Sequence, residues 1–363
     1  MKTIATVLGA RPQFIKAATI TRAIRQTEGL REVLIHTGQH YDDNMSTVFF
    51  TDLMGQAPDH NLHISGGTHG AMTGRMLEAV EGVLSQVRPD MVLVYGDTNS
   101  TLAGALCAAK MHIPVAHVEA GLRSFNMKMP EEINRRLTDH CSDLLFTPTD
   151  TADRNLANEG IESGKVHRVG DVMYDASVHF GKQAAEKGEL LASLGLKDRD
   201  YILATVHRQE NTDHPDRLGS ILDALAAIAK EIPVLLPLHP RTRAKISATG
   251  LDQLLSKLTC VEPLGYLQMV EAERSAVVIA TDSGGVQKEA FFHKVPCVTL
   301  RDETEWVELL DSGWNRLVSP AQGSKAIQNA ILSARGVAGA AVEPYGLGDA
   351  SDRIAQVIRA YLA

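Results

Sequence analysis

Three carboxylates recur at similar places in the first half of the chain. Asp97 follows the apolar run Met91–Tyr95, Glu119 follows Val115–Val118, and Glu131 sits in the Pro130-Glu131-Glu132 opening of a helical stretch. The two apolar runs read as strands of a parallel sheet buried on both faces, and ligands bind beyond the carboxyl ends of such strands. Acids gathered there suit general acid–base chemistry, in which one group removes a proton and another returns it. The structural alternatives are an N-cap role for Asp97 beside Thr98-Asn99 and a first-turn ion pair for Glu131. Glu132 reads as a first-turn acid paired with Arg135 and Arg136. Glu119 caps nothing obvious.

The second half carries groups suited to a diphosphate. Ser283-Gly284-Gly285 stands between a strand and a helix, where glycines allow close approach and unpaired helix-start N–H groups face an anion. Glu289 lies one helical turn further on, where a carboxylate could accept both hydroxyls of a ribose. His207-Arg208 and His239-Pro240-Arg241 place two His/Arg pairs after strands, and Arg301 follows another. Near the N-terminus, Gly9-Ala10-Arg11-Pro12 is a glycine turn between strand and helix, and Arg11 offers a guanidinium fork for phosphate oxygens. A surface arginine in an ordinary connection is the alternative there. No GxGxxG fingerprint or metal motif is present. Carboxylates in one half and diphosphate groups in the other describe an enzyme acting on a nucleotide sugar.

The elements that must position these groups alternate strand and helix throughout. Thr3–Leu8, Val33–His36, Met91–Tyr95, Val115–Val118, Leu144–Phe146 and Val166–Val169 read as strands of a first series. Tyr201–Val206, Val234–Leu238, Thr259–Val261, Ala276–Ala280 and Cys297–Leu300 read as a second. Two doubly wound α/β domains facing each other across a cleft are therefore expected. Residues 1–170 form the Rossmann-like lobe with the carboxylates and 171–350 the diphosphate-binding lobe. The charged, glycine-punctuated passage Gly188–Asp200 marks the border between the two strand series. The final helix, within 351–363, is free to pack back on the first lobe.

At 363 residues, two ordinary domains are the first expectation. A net charge of −8 argues against a general nucleic-acid surface. The four cysteines are scattered, giving neither a zinc signature nor a disulfide framework. With no apolar stretch long enough to span a bilayer and only a short apolar run at the N-terminus, no membrane contact and a cytoplasmic location are expected.

Taken together, Gly9-Ala10-Arg11-Pro12 with Lys16, Tyr95-Gly96-Asp97-Thr98, His117-Val118-Glu119-Ala120-Gly121-Leu122-Arg123, Pro130-Glu131-Glu132 with Asn134-Arg135, His207-Arg208, and Thr281-Asp282-Ser283-Gly284-Gly285 with Glu289 resemble the non-hydrolysing UDP-N-acetylglucosamine 2-epimerases. The resemblance covers nearly the whole chain in order. It implies a GT-B fold with the active site between two Rossmann-like domains, a homodimer, and neither metal nor nicotinamide cofactor. It also implies elimination of UDP to a 2-acetamidoglucal, followed by re-addition with protonation at C2 from the opposite face. Carried over by motif, Asp97, Glu119, Glu131 and His207 are the catalytic set. Arg11, His207, Ser283, Gly284, Gly285 and Glu289 would hold UDP, with Lys16 and Arg135 nearby; Arg241 and Arg301 join them from their strand-end positions.

Two departures refine the resemblance. Gln13-Phe14 stands where an acid tends to follow Arg-Pro, and Phe125-Asn126-Met127-Lys128-Met129-Pro130 replaces a Trp-Pro-Glu-Glu approach. These resemble the branch that epimerises UDP-2,3-diacetamido-2,3-dideoxy-glucuronate, whose sugar carboxylate needs a cation, with Lys128 or Arg208 as the expected partner. A regulatory second substrate site occurs in many relatives near the equivalents of Gln39-His40 and Arg75, but residues 41–45 depart from the usual segment. A GT-B glycosyltransferase and a catalytically silent nucleotide-sugar-binding protein are the alternative functions.

Overall fold

The structure, a computed structural model, describes residues 1–39 and 53–363; the side chains of Arg11 and Lys187 lie outside the described set. The chain divides into two compact units, Met1–Ala176 with Glu343–Ala363, and Ser177–Val342.

In the first unit the described residues form a seven-stranded parallel sheet of β1 (Lys2–Leu8), β2 (Leu30–His36), β3 (His60–Asn61), β4 (Met91–Tyr95), β5 (Val115–Val118), β6 (Leu144–Thr147) and β7 (Val166–Arg168). Their order across the sheet is β3-β2-β1-β4-β5-β6-β7. Side chains of opposite parity leave opposite faces of a strand. Thus Ala5, Val7, Val92 and Val94 pack with Val80, Leu84, Ala105 and Ala108 of the helices on one face. Ile4, Leu8, Met91 and Leu93 are also buried. This two-sided burial explains why these strands read as unbroken apolar runs.

The second unit repeats the plan with β8 (Ile202–Thr205), β9 (Val234–Pro237), β10 (Thr259–Val261), β11 (Val278–Thr281), β12 (Cys297–Thr299) and β13 (Asn315–Leu317) in the parallel order β10-β9-β8-β11-β12-β13. Ile202 and Ala204 face a core with Leu222 and Ile327, whereas Leu203 faces Ala272 and Ala290. Strand order reverses between β1 and β4 in one sheet and between β8 and β11 in the other. Loops part at such a switch point and leave a crevice at the strands' carboxyl ends.

The border between units differs from the strand-pattern expectation for a local reason. Gly170 has φ +97°, and a Cβ there would lie 2.7 Å from Tyr345 O, so these backbones touch. Asp171 N–H donates to that same carbonyl at 2.9 Å. Asp175 then accepts N–H bonds from Ala350 (3.2 Å) and Ser351 (2.6 Å), and Ser351 Oγ meets Thr19 Oγ1 at 2.9 Å. Residues 171–176 and 343–350 therefore belong with the first unit, as does the terminal helix Ala350–Leu362. The Gly188–Asp200 passage is not wholly loop, for it holds the short helix Glu189–Leu194. Asp175 caps the terminal helix from a distance, replacing water at its first N–H groups. Asp175→Ala should lower unfolding free energy by about 1–3 kcal/mol and speed amide exchange along Ala350–Leu362, read by urea titration and hydrogen exchange.

Candidate active site

At the β1/β4 switch point a buried glutamine joins the two loops. Gln13 Oε1 accepts the N–H groups of Gly9 (2.7 Å) and Ala10 (2.9 Å), while Nε2 donates to Tyr95 O at 2.8 Å and lies near the hydroxyls of Thr98 and Thr101. The helix that follows β4, Asn99–Lys110, is capped by the Thr98 hydroxyl, so Asp97 is not its N-cap. Asp97 Oδ2 instead accepts from Arg135 Nη2 at 2.5 Å, and its carbonyl accepts from Asn134 Nδ2 at 2.9 Å. Both partners come from the Pro130–Cys141 helix, which starts with proline and two acids as the helix dipole favours.

Glu119 ends β5 with φ +70°, in the left-handed region that non-glycine residues seldom occupy. Such a backbone stores on the order of 1–3 kcal/mol. Its carboxylate forms an ion pair with Lys16, reached from the first helix. A Cβ built on Gly96 would lie 3.2 Å from Glu119 Oε2 and 3.8 Å from Lys16 Nζ, which puts the residue before Asp97 directly beside this pair. Asp97 with Arg135 and Glu119 with Lys16 thus form two ion pairs on the neighbouring loops after β4 and β5. Glu131 is exposed on the first turn of its helix and makes no polar contact with them among the described residues. Glu132 is fully buried: it accepts from the backbone and hydroxyl of Ser124 at 2.8 and 3.0 Å and from Arg135 at 3.2 Å, with Arg136 at 3.5 Å. It anchors the 124–129 loop as well as pairing along its helix.

Sequence reasoning missed a buried network beneath these groups. His117 Nδ1 lies 2.7 Å from Asp139 Oδ1 and Nε2 lies 2.8 Å from Gly96 O. Both partners are acceptors, so the ring satisfies both only with a proton on each nitrogen. Asp139 Oδ2 also accepts from Gly121 N at 3.1 Å and pairs with Arg123 at 2.7 Å, and Arg123 grips Glu159 with two bonds of 2.8 and 2.7 Å. The network fixes Gly96 before Asp97 and Gly121 after Glu119. Only the pairing of His117 and Arg123 with an acid many residues away could have signalled it.

In the second unit Asp282 is the joint between loops. Fully buried, it accepts from the backbone of His207 at 3.1 Å and of Arg208 at 3.1 Å, and from Asn211 Nδ2 at 3.1 Å. His207, half exposed, is thereby fixed next to the Ser283–Gly285 turn. Ser283 caps the Gly284–Phe292 helix. A Cβ on Gly284 would meet Glu305 Oε1 at 2.5 Å, so a side chain there would displace Glu305, to which Arg301 donates at 2.8 Å. Burial would raise the Glu305 pKa, but its backbone hydrogen bond together with Arg301 and Arg208 hold it below the ordinary value. Arg241 is exposed and paired with Asp213 at 3.3 Å. Glu289 lies one turn along the capped helix, partly buried. A cavity of about 190 Å³, lined by Pro237, Leu264, Met269 and Val286 with His207 and His239, adjoins these loops and was not foreseen. Among the described residues no three His, Cys, Asp or Glu side chains form a metal cage, and no helix is long and apolar enough to cross a membrane. Gln39 accepts from Ser100, and Arg75 donates to the Ser65 and Gly66 carbonyls; His40 and residues 41–45 lie outside the described residues.

Two doubly wound parallel-sheet units, each carrying polar groups on its switch-point loops, define an α/β enzyme of the GT-B fold. The UDP-N-acetylglucosamine 2-epimerase model matches residues 22–359, and the chain belongs to that family of isomerases. It is 52% identical to the UDP-2,3-diacetamido-2,3-dideoxy-D-glucuronate 2-epimerase of Pseudomonas aeruginosa, over 98% of this chain and 99% of that protein. A solved UDP-GlcNAc 2-epimerase from Methanocaldococcus jannaschii, in complex with UDP-GlcNAc and UDP, matches with a TM-score of 0.85 and 42% identity over 99% of this chain and 100% of that one. The Neisseria meningitidis enzyme bound to UDP-GlcNAc matches with a TM-score of 0.85 and 30% identity over 99% and 100%.

Asp139 tests the buried network. Burial pushes its pKa up, but the hydrogen bond and charge of His117 and the charge of Arg123 outweigh this and leave it below the ordinary value. A depressed carboxyl adds stability above its unfolded-state pKa and loses it as pH falls through the folded one. Asp139→Asn should cost about 3–5 kcal/mol at neutral pH by leaving buried cations uncompensated. Its deficit against the unaltered protein should begin to shrink as pH falls below the unfolded-state carboxyl range, about pH 4, and keep shrinking through the lower folded-state value, as read from urea midpoints across pH.

Proposed function

We propose that the protein inverts C2 of an N-acetylated UDP-hexosamine, with UDP-2,3-diacetamido-2,3-dideoxy-glucuronate as substrate in preference to UDP-GlcNAc. The observation that carries the reading is Glu119, held on a left-handed backbone at a strand end and paired with Lys16 beside Asp97 and Arg135. C2 of such a sugar is not α to a carbonyl, so its proton is hard to remove directly. Anti elimination solves this: a base takes the C2 proton, the C1–O bond breaks, UDP departs, and a 2-acetamidoglucal remains. Re-addition of the UDP oxygen at C1, with a proton delivered to the other face of C2, completes the inversion. Chemistry on both ring faces needs more than one acid–base group, and Asp97, Glu119, Glu131 and His207 are the proposed set.

The departing UDP is proposed to rest on the N–H groups that open the Gly284–Phe292 helix, helped by His207, Arg11 and Arg301, with Glu289 accepting the ribose hydroxyls. The cavity bounded by Leu264, Met269 and Val286 suits the flat face of a pyrimidine. Arg241 is assigned to the diphosphate, exchanging Asp213 for phosphate. Substrate choice is supported by the 52% identical relative and by Gln13 and the 125–130 segment. A uronate carboxylate would meet Lys128, which is exposed, or Arg208, whose Nη2 lies 3.9 Å from Glu305. A cytoplasmic homodimer is proposed with this activity; the four free cysteines support a reducing compartment.

Incubation with each UDP-sugar in D₂O, followed by NMR of C2, tests the reaction. Deuterium entering C2 with formation of the manno isomer is the expected result. Free sugar and UDP as products would indicate hydrolysis, and no exchange without an acceptor would indicate a glycosyltransferase. Turnover should favour the diacetamido uronate, and a strong preference for UDP-GlcNAc would overturn that assignment. Asp97→Asn should lower kcat by roughly 10²–10⁴, while undiminished turnover would remove Asp97 from the set.

A further inference from the structure

Arg301 follows β12 and its guanidinium is nearly enclosed, the side chain being only 7% exposed. Its Nη1 donates to Glu305 Oε2 at 2.8 Å, and its Nε is buried without an acceptor among the described residues. A buried cation cannot follow a departing partner into water, so its charge must be met where it lies. Glu305 meets it from a side chain that is 45% exposed. The same carboxylate lies against the first turn of the Gly284–Phe292 helix, an end that favours negative charge. Its Oε1 stands 2.5 Å from where a Cβ on Gly284 would be and 3.9 Å from Arg208 Nη2.

The main chain on either side of Glu305 is tied to that turn. Thr304 Oγ1 donates to Gln287 Oε1 at 2.6 Å, and Gln287 Nε2 donates to Ser283 O at 3.2 Å. Trp306 Nε1 donates to Gly284 O at 2.9 Å, and Lys288 Nζ sits 4.5 Å from the centre of the Trp306 ring. The loop is therefore anchored by the residues flanking Glu305, while rotation about the glutamate's own side-chain bonds suffices to carry its carboxylate from Arg301 to water. We propose that Glu305 is a built-in competitor for the diphosphate, holding Arg301 until phosphate oxygens take its place and the carboxylate turns outward. The inference rests on the reading of the Ser283–Gly285 turn with Arg301 as the diphosphate seat. A diphosphate offers Arg301 a bidentate acceptor and more charge than one carboxylate, so the exchange runs in its favour. The return of Glu305 as the ligand leaves spares the buried guanidinium an unmet charge.

Calorimetry on the full chain with UDP and with uridine tests this. The unaltered protein should prefer UDP by about tenfold or more, since uridine lacks every hydrogen bond to a charged phosphate. Arg301→Met should erase most of that preference; if it does not, or if the unaltered protein shows none, the diphosphate reading fails first. With that reading standing, Glu305→Gln should bind UDP about tenfold tighter, because a neutral amide holds Arg301 less firmly, and should bind uridine as before. UDP affinity that falls or stays level, or an equal gain for uridine, overturns the proposal. In the unaltered protein the Glu305 carboxyl, followed by ¹³C NMR, should titrate below the ordinary value when alone, held there by Arg301 and Arg208, and return to that value with UDP bound. A depressed titration that persists with UDP bound overturns the proposal even where the glutamine variant does not fold.

Discussion

Where a parallel sheet reverses its strand order, two neighbouring loops diverge and their backbone groups lose the ladder that satisfied them. Each unit answers this with one buried polar side chain spanning the gap: Gln13 between the loops after β1 and β4, and Asp282 between those after β8 and β11. The chemistry of the two differs because their partners differ. Gln13 must both accept and donate, which a carboxylate cannot do, whereas Asp282 meets only donors. Everything proposed about acid–base groups and phosphate contacts depends on these two joints, since they set where Asp97, His207 and the Ser283 turn lie.

Around the first joint lies a second kind of support. His117, Asp139, Arg123 and Glu159 form an alternating chain of charge running from the interior outward, so that no buried ion faces only apolar neighbours. Such a chain gains little over an apolar core in stability, but it gives each member one satisfying position. Because His117 holds Gly96 and Asp139 holds Gly121, the backbone flanking Asp97 and Glu119 is fixed by charge geometry rather than by packing alone.

Much of the fold was legible in the sequence because fully buried parallel strands announce themselves as short apolar runs. Met91–Tyr95, Val115–Val118 and Thr259–Val261 have the bounds expected. The helices Pro240–Ala248, Tyr266–Arg274 and Ser324–Ala334 were not read, and β13 was missed as well. Tyr266–Arg274 buries Glu271 and Glu273 among its inner residues, so polarity along the chain does not mark its inner face. The strand-end acids and the glycine turn were legible as motifs. Their supports were not: His117 with Asp139, Glu132 with the 124–125 backbone, and Asp282 with the loop after β8 join positions whose pairing no local pattern encodes. Asp97 was open to an N-cap reading that Thr98 takes instead.

The conformation of Glu119 has a consequence for how this chain can vary. With φ at +70°, the position would suit glycine better than any residue bearing a Cβ, and β-branched residues least of all. A change to glycine would relax the main chain and delete the carboxylate paired with Lys16. Drift toward greater thermal robustness and retention of the acid therefore pull in opposite directions at this one position. Variants selected only for resistance to heat would be drawn to shed this acid.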